Sequence, residues 1–239
     1  MDNNLSDILF LDIETVACVP DYTALDERLK VQWARKATYL KKDEAQTDAD
    51  LFNERAGIYA EFGKVIVIGL ARLKAKEGSK DYVLNTKAIY GHDEKEVLLE
   101  FKRWLEKSGN QLRLCAHNGK EFDFPYLCRR MLVNDIALPY VLDISGKKPW
   151  EITHLDTMDM WKFGDYKHYT ALDLLAAIFN IPSSKTDIDG SMVNKVYHHE
   201  NNLEKIAQYC INDTVVLAQL YLRMKGHALI KADNIIQHS

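Results

Sequence analysis

Residues 8–14 read ILFLDIE: four consecutive apolar side chains, then Asp12 and Glu14. A strand with one wet face alternates apolar and polar residues, so this unbroken run reads as a strand buried on both faces. Asp12 and Glu14 stand two apart. On a strand both point the same way, roughly 6–7 Å from one another. A buried charge without a partner is costly, so carboxylates placed there must be paired, protonated or bound to a cation. The plainer alternative is a strand whose end simply reaches solvent.

Downstream, residues 20–61 change character. They are rich in Ala, Lys, Glu and Asp, with Leu25, Leu29 and Trp33 at helical spacing. Leu51, Phe52, Ile58 and Tyr59 mark a second helix interrupted near Gly57. This segment is expected to be a helical insertion, either packed over one side of the sheet or reaching the substrate as an arm. KVIVIGLARL (64–73) is a strand, 82–90 is another, and the polar AKEGSKD between them makes a hairpin. Residues 93–107 form a helix capped by Asp93, with Val97, Leu98, Phe101, Trp104 and Leu105 in one stripe. A strand at 112–116 leads into a helix at 124–133, with Pro125 in its first turn and Phe124, Leu127, Met131 and Leu132 on one face. Residues 134–153 are an irregular connection. HLDTMDMW (154–161) fits a short strand or a helical turn. Helices follow at 169–179, 192–199 and 203–224. The order is mixed α/β.

The totals narrow the function. Hydrophobic content of 47% with 28% charged residues is that of a soluble globular protein. A net charge of -4 excludes binding driven by bulk positive charge, though not a local basic groove for nucleic acid. Cys18, Cys115, Cys128 and Cys210 form no Cys-x-x-Cys pair, which fits thiols in a reducing compartment. The start, MDNNLS, has no basic n-region or apolar h-region, and no run is long enough to span a membrane. The expectation is a cytoplasmic protein without a membrane partner.

Two more carboxylates complete a pattern. Asp123 follows Asn118 and Gly119 just before a helix, where an acid can also serve as a plain cap. Tyr209 and Asp213 stand i, i+4 on the last helix, beside the stripe of Ile206, Cys210, Leu217 and Leu220. Asp213 therefore heads inward, unless its neighbour Asn212 takes that place. Hard divalent cations take oxygen ligands and keep waters for substrate phosphates. Two such ions, Mg²⁺ or Mn²⁺, about 3.5–4 Å apart can clamp an in-line displacement at phosphorus. They would account for all four acids.

DIE (12–14), HNGKEFD (117–123) and YCIND (209–213) resemble, in order, the three motifs of DEDD-type 3′–5′ exonucleases. Tyr209, four before Asp213, resembles the DEDDy branch; the other branch would place His where Gln208 stands. GKVIVIGL (63–70), HLDTMDMW (154–161) and ALDLLAAIFNIPSSKTDIDGSMV (171–193) are similar to stand-alone bacterial exonucleases related to the proofreading domain of family-B DNA polymerases. The likeness covers nearly the whole chain and is weakest over 20–61.

This resemblance implies a ribonuclease H-like fold, with a central mixed sheet flanked by helices and all 239 residues in one exonuclease domain. It implies that Asp12, Glu14 and Asp213 hold one ion, that Asp12 and Asp123 hold a second, and that Tyr209 orients the attacking water. Nucleoside 5′-monophosphates would leave from the 3′ end of single-stranded nucleic acid, with DNA favoured over RNA and any polymerase or repair partner a separate chain. The alternatives are a ribonuclease D-like exoribonuclease and a binding module without catalysis. Asn118 and Phe122 are candidates to line the nucleotide pocket, although a Phe here is more often core. Lys185 is a candidate phosphate contact or a solvated loop lysine. Asp156 and Asp159 are candidates to support the site. Asp189 and Ser191 are expected to cap a helix, and His198 and His199 to lie at the surface. Lys147, Lys148 and Trp150 combine charge and ring as single-strand grooves do, unless the Trp is buried.

Overall fold

A computed structural model describes residues 5–41, 45–79, 81–109, 111–165, 169–182 and 188–238. The chain runs β1 (Ile8–Ala17), α1 (Glu27–Leu40), α2 (Asp48–Arg55), β2 (Gly63–Ala75), β3 (Tyr82–Tyr90), α3 (Glu94–Lys107) and β4 (Arg113–Ala116). It continues α4 (Asp123–Val133), β5 (Leu155–Asp156), α5 (Thr157–Lys162), α6 (Leu172–Ile178), α7 (Val193–His198), α8 (Leu203–Met224) and β6 (Ile235–His238). HLDTMDMW thus supplies both a two-residue strand and a helix start.

The sheet order is β5-β4-β1-β2-β3-β6. β1, β2 and β3 form an antiparallel meander, while β4 and β5 add in parallel beside β1 and β6 adds in parallel beside β3. β1 is central and buried on both faces, as its apolar run requires. Leu9, Leu11 and Ile13 pack with α3 and α4 on one face. Ile8, Phe10 and Val16 pack on the other, against α8 and α7. The register of β1 on β2 shifts between Glu14 and Thr15, where Ile66 is the extra residue. A bulge bends the strand and re-aims its side chains, here beside an acid of the site.

The helices between β1 and β2 carry a small core of their own around Trp33, Phe52 and Phe62. Leu25 and Trp33, at helical spacing, are buried, while Leu29 between them is 36% exposed. Two polar ties fix α4 to the turn before β2: Tyr126 donates to Gly57 O at 2.7 Å, and Arg130 Nη1 donates to Ala60 O at 2.8 Å. Arg130 also makes a buried bidentate pair with Glu94, at 2.6 and 2.8 Å.

Four expectations need correction. Leu132 is 61% exposed, because α4 buries the stripe of Phe124, Leu127 and Met131 and Leu132 falls off it. His198 is half-buried rather than superficial; its Nε2 donates to Ala17 O at 3.0 Å. Trp150 is 77% exposed and not a core residue. Asp189 accepts from Ser191 N at 2.8 Å in a turn, while Met192 begins α7 without a side-chain cap.

α8 lies tightly on β2 because of Gly69. A Cβ there would sit 2.5 Å from Thr214 Oγ1 and 2.9 Å from Cys210 O. Overpacking of this kind costs about 1–3 kcal/mol. Gly69→Ala is therefore expected to lose about that much stability in urea titration and to push out the helix that carries Tyr209 and Asp213. An unchanged midpoint would show that α8 rides on β2 with slack.

Candidate active site

Three elements bring the acids together. β1 presents Asp12 and Glu14 on its α8 face, and α8 supplies Tyr209, Cys210 and Asp213. Asp123 is the first residue of α4, just past the end of β4. It makes no cap; the residue before it, Phe122, has no capping bond either. The plain capping role is thus not realised, and the carboxylate is turned to the cluster with only 3% exposure.

Burial raises the Asp12 carboxyl well above its ordinary range, and the charges of Asp123 and Asp213 raise it further. Glu14 is raised by burial and then by Asp12, Asp213 and Asp123. Asp123 is pushed up to about 7, chiefly by burial, against the pull of backbone N–H groups including that of Ile13. Asp213 is pushed up to about 6 by burial, with the Tyr209 hydrogen bond pulling down. Burial and the neighbouring acids raise Tyr209 too, so its phenol keeps its proton and donates to Asp213. Asn212 turns elsewhere, accepting from Gln208 at 2.9 Å. Among the described residues no Lys, Arg or His pairs with any of the four acids. Buried like charges without a counter-cation are what a site for hard divalent cations requires.

Cys210 was read only as part of the buried stripe. Its Sγ lies 3.4 Å from Asp12 Oδ2, and ligand atoms of Asp12, Glu14 and Cys210 all fall within 4.8 Å of one another. Nothing in the sequence distinguishes this thiol from an apolar residue, other than its place next to Tyr209.

Asp156 organises the loop that leads to Asp123. It accepts from Asn118 N at 2.9 Å and Lys120 N at 3.0 Å, and from Met158 N and Asp159 N at the start of α5. His117 Nε2 donates to Thr170 O at 2.8 Å, so Nδ1 accepts from Thr157 Oγ1 at 2.9 Å. Burial lowers its pKa, which suits this neutral tautomer. Asn118 has φ 65 and a buried Oδ1 with no hydrogen-bond partner. Such an oxygen is costly unless a ligand donates to it. Phe122 is half-buried against the α3–α4 core, its ring 5.3 Å from that of Tyr126, which is the core role. Asp159 sits outside, paired with Lys120 at 3.3 Å. Lys185 lies outside the described residues. Removing the Asp156 acceptor leaves buried N–H groups unpaired, at roughly 1–3 kcal/mol each where water cannot reach them. Asp156→Ala is expected to destabilise the protein by about 2–4 kcal/mol in denaturant; a loss below about 0.5 kcal/mol, the size of an ordinary surface change, would deny it this role.

Carboxylates from the central strand, from a helix start and from the last helix, on a sheet of this order, define a ribonuclease H-like fold with an acidic centre. A family model described as a predicted 3′–5′ exonuclease related to the exonuclease domain of PolB matches residues 58–233, and the chain belongs to that family of 3′–5′ exonucleases. It is similar to a DNA polymerase of Pyrococcus glycovorans, 26% identical over 140 residues, which cover 53% of this chain and 18% of the polymerase. In structure it is similar to the family B DNA polymerase of the archaeon Pyrobaculum calidifontis, with TM-score 0.53 and 16% identity over 90% of this chain and 24% of that one. The chain thus spans a quarter or less of these relatives. No helix among the described residues is long and apolar enough to cross a membrane.

Proposed function

We propose that the protein is a divalent-metal-dependent 3′–5′ exonuclease of the DEDDy type that shortens single-stranded DNA. The observation that carries this reading is the convergence of Asp12, Glu14, Asp123 and Asp213, with no counter-cation among the described residues, beside the Tyr209 phenol. Asp12, Glu14 and Asp213 would hold one ion, and Asp12 with Asp123 a second. Two Mg²⁺ or Mn²⁺ ions supply, when bound, water activation and neutralisation of charge on the departing oxygen.

The chain's own residues do the rest. Tyr209 donates to Asp213 and is placed to orient the attacking water. The water oxygen bonds to the last phosphorus, and the bond from that phosphorus to the preceding 3′-oxygen breaks. That oxygen takes the electron pair and a proton, and a nucleoside 5′-monophosphate leaves. Asn118 Oδ1, buried and unpartnered, is placed to accept from the terminal nucleotide. Relatedness to the exonuclease domain of a DNA polymerase family supports DNA over RNA. The helices between β1 and β2 belong to the same domain in this reading, and its setting is the cytoplasm.

The test is degradation of a 5′-labelled single-stranded oligonucleotide with Mg²⁺, Mn²⁺ or EDTA, as DNA and as matched RNA. The expected result is a metal-dependent ladder shortening from the 3′ end, faster on DNA. A ladder on RNA alone would reassign the substrate, and no ladder on either would end the catalytic reading.

A further inference from the structure

We propose that the sheet face turned away from the carboxylates is a docking site for an acidic protein segment carrying an apolar anchor. This proposal is independent of the nuclease reading. On β2, Leu70, Arg72 and Lys74 alternate onto the face that α3 and α4 cover higher up. The register places Leu9 and Asn85 opposite Arg72, Lys87 opposite Leu70, and His238 opposite Lys87. A cavity of about 430 Å³ opens there. Leu9 and Leu70 form its floor, Trp104 of α3 its wall, and Arg72, Lys74 and Lys87 its rim.

The rim concentrates one sign of charge. β2, β3 and β6 contain no Asp or Glu, and the acids of β1 point to the other face. Like charges on neighbouring strands repel, by roughly 0.2–1 kcal/mol per pair. The protein as a whole is acidic, at -4, so this patch does not follow from bulk charge. Glu100 of α3 reaches Lys87 at 3.5 Å from the side. Arg72 Nε donates to Ser6 O at 2.7 Å, and the His238 ring bonds Asn85 at 2.8 Å, so Arg72 of the rim and His238 beside it are held in place.

These features select the occupant. The volume falls within the range of ordinary ligand pockets, about 300–1,000 Å³, and suits one or two large side chains. An aromatic or long aliphatic residue buried in such a pocket is the usual anchor of a peptide interface. Flanking acids would meet Arg72, Lys74 and Lys87. β6 is the edge of the sheet, so an extended segment can pair with its outer backbone while its anchor enters the cavity. A nucleic acid strand is disfavoured, because the floor is apolar and the face lies across the sheet from Asp12 and Glu14.

The test is selection of a random dodecapeptide phage library on the intact protein, with counter-selection on the K74E/K87Q double variant. Enriched peptides are expected to carry one aromatic or leucine residue flanked by Asp or Glu. Synthesised with fluorescein, they should bind in the micromolar range and weaken about tenfold or more on the variant, whose melting temperature and exonuclease rate stay unchanged. Labelled oligothymidylate in EDTA should bind both proteins alike. Failure to enrich peptides that distinguish the two proteins, or enrichment of peptides without acids, would overturn the proposal. Loss of oligothymidylate binding in the variant without any such peptide would give the face to nucleic acid.

Discussion

Asp12→Ala is expected to lower exonuclease activity by about 10³-fold or more, with the fold intact. Asp12 is the acid on which the others converge: its carboxyl feels Asp123 and Asp213, and Glu14 feels it first among the charges. In the two-ion reading it is the ligand common to both ions, so its loss removes both at once. Stabilisation of charge by such ions is worth several kcal/mol in the transition state, and about 4 kcal/mol is a factor of 10³. The same substitution removes a buried like charge from the metal-free protein, so unfolding should be unaffected or shifted in the stabilising direction. That pairing of outcomes separates a catalytic role from a packing role. Activity within about tenfold of the parent would remove Asp12 from the mechanism. An inactive variant that has also lost its cooperative melt would be uninformative, and Asp213→Ala, at the half-exposed end of the cluster, then carries the same test.

The elements legible in the sequence were those whose chemistry is local. ILFLDIE declares a central strand because an apolar run needs cover on both faces, and its acids fall on one face because strands alternate. Asp213 was legible as inward because the apolar stripe of α8 runs beside it. The ribonuclease H-like fold and the exonuclease family followed from the order of the motifs. What escaped depends on contacts between distant segments. β6 is four residues long and pairs in parallel with β3 some 150 positions earlier, as in Leu84 opposite Ile235, so no periodicity announces it. Asp156 holds Asn118 and Lys120 across 38 and 36 positions. It could be named as a supporting acid, but the loop it holds could not be seen. Cys210 reads like any small apolar residue of a buried stripe until β1 places Asp12 against its sulfur. Leu132 was misplaced because α4 buries a narrower stripe than its apolar residues offer. These gaps share one cause: helical and strand periods report which side is inside, not which distant group waits there.

In EDTA the carboxylate cluster is expected to take stability from the protein as pH rises from 5 to 8, read as the difference from Asp12→Asn so that the buried histidines His117, His154 and His198, which gain stability as they lose their protons, cancel, and Mn²⁺ is expected to abolish that loss. The sign follows from the carboxyls. Asp213 rises from 3.8 to about 6 and Asp123 from 3.8 to about 7 on folding, and Asp12 and Glu14 are raised as well. A group whose pKa is higher in the folded state binds protons more tightly there. Its contribution is complete below the unfolded value near 4 and disappears as pH climbs through 6 and 7. The four groups share one field, so their effects do not add, and a loss on the order of 3 kcal/mol is expected. For a chain of this size that is roughly 6–12 °C in melting temperature. A divalent cation replaces the protons and favours the ionised, folded form. At about a hundred times its dissociation constant it restores about 2.7 kcal/mol. Asp12→Asn should flatten the EDTA profile and blunt the response to Mn²⁺, because it removes the charge that the others face. A parent profile that coincides with that of Asp12→Asn, or an Mn²⁺ response preserved in Asp12→Asn, would mean that the acids are neutralised by the protein itself. The cluster would then be a buried structural feature and not a seat for cations, and the two-ion reading would fall with it.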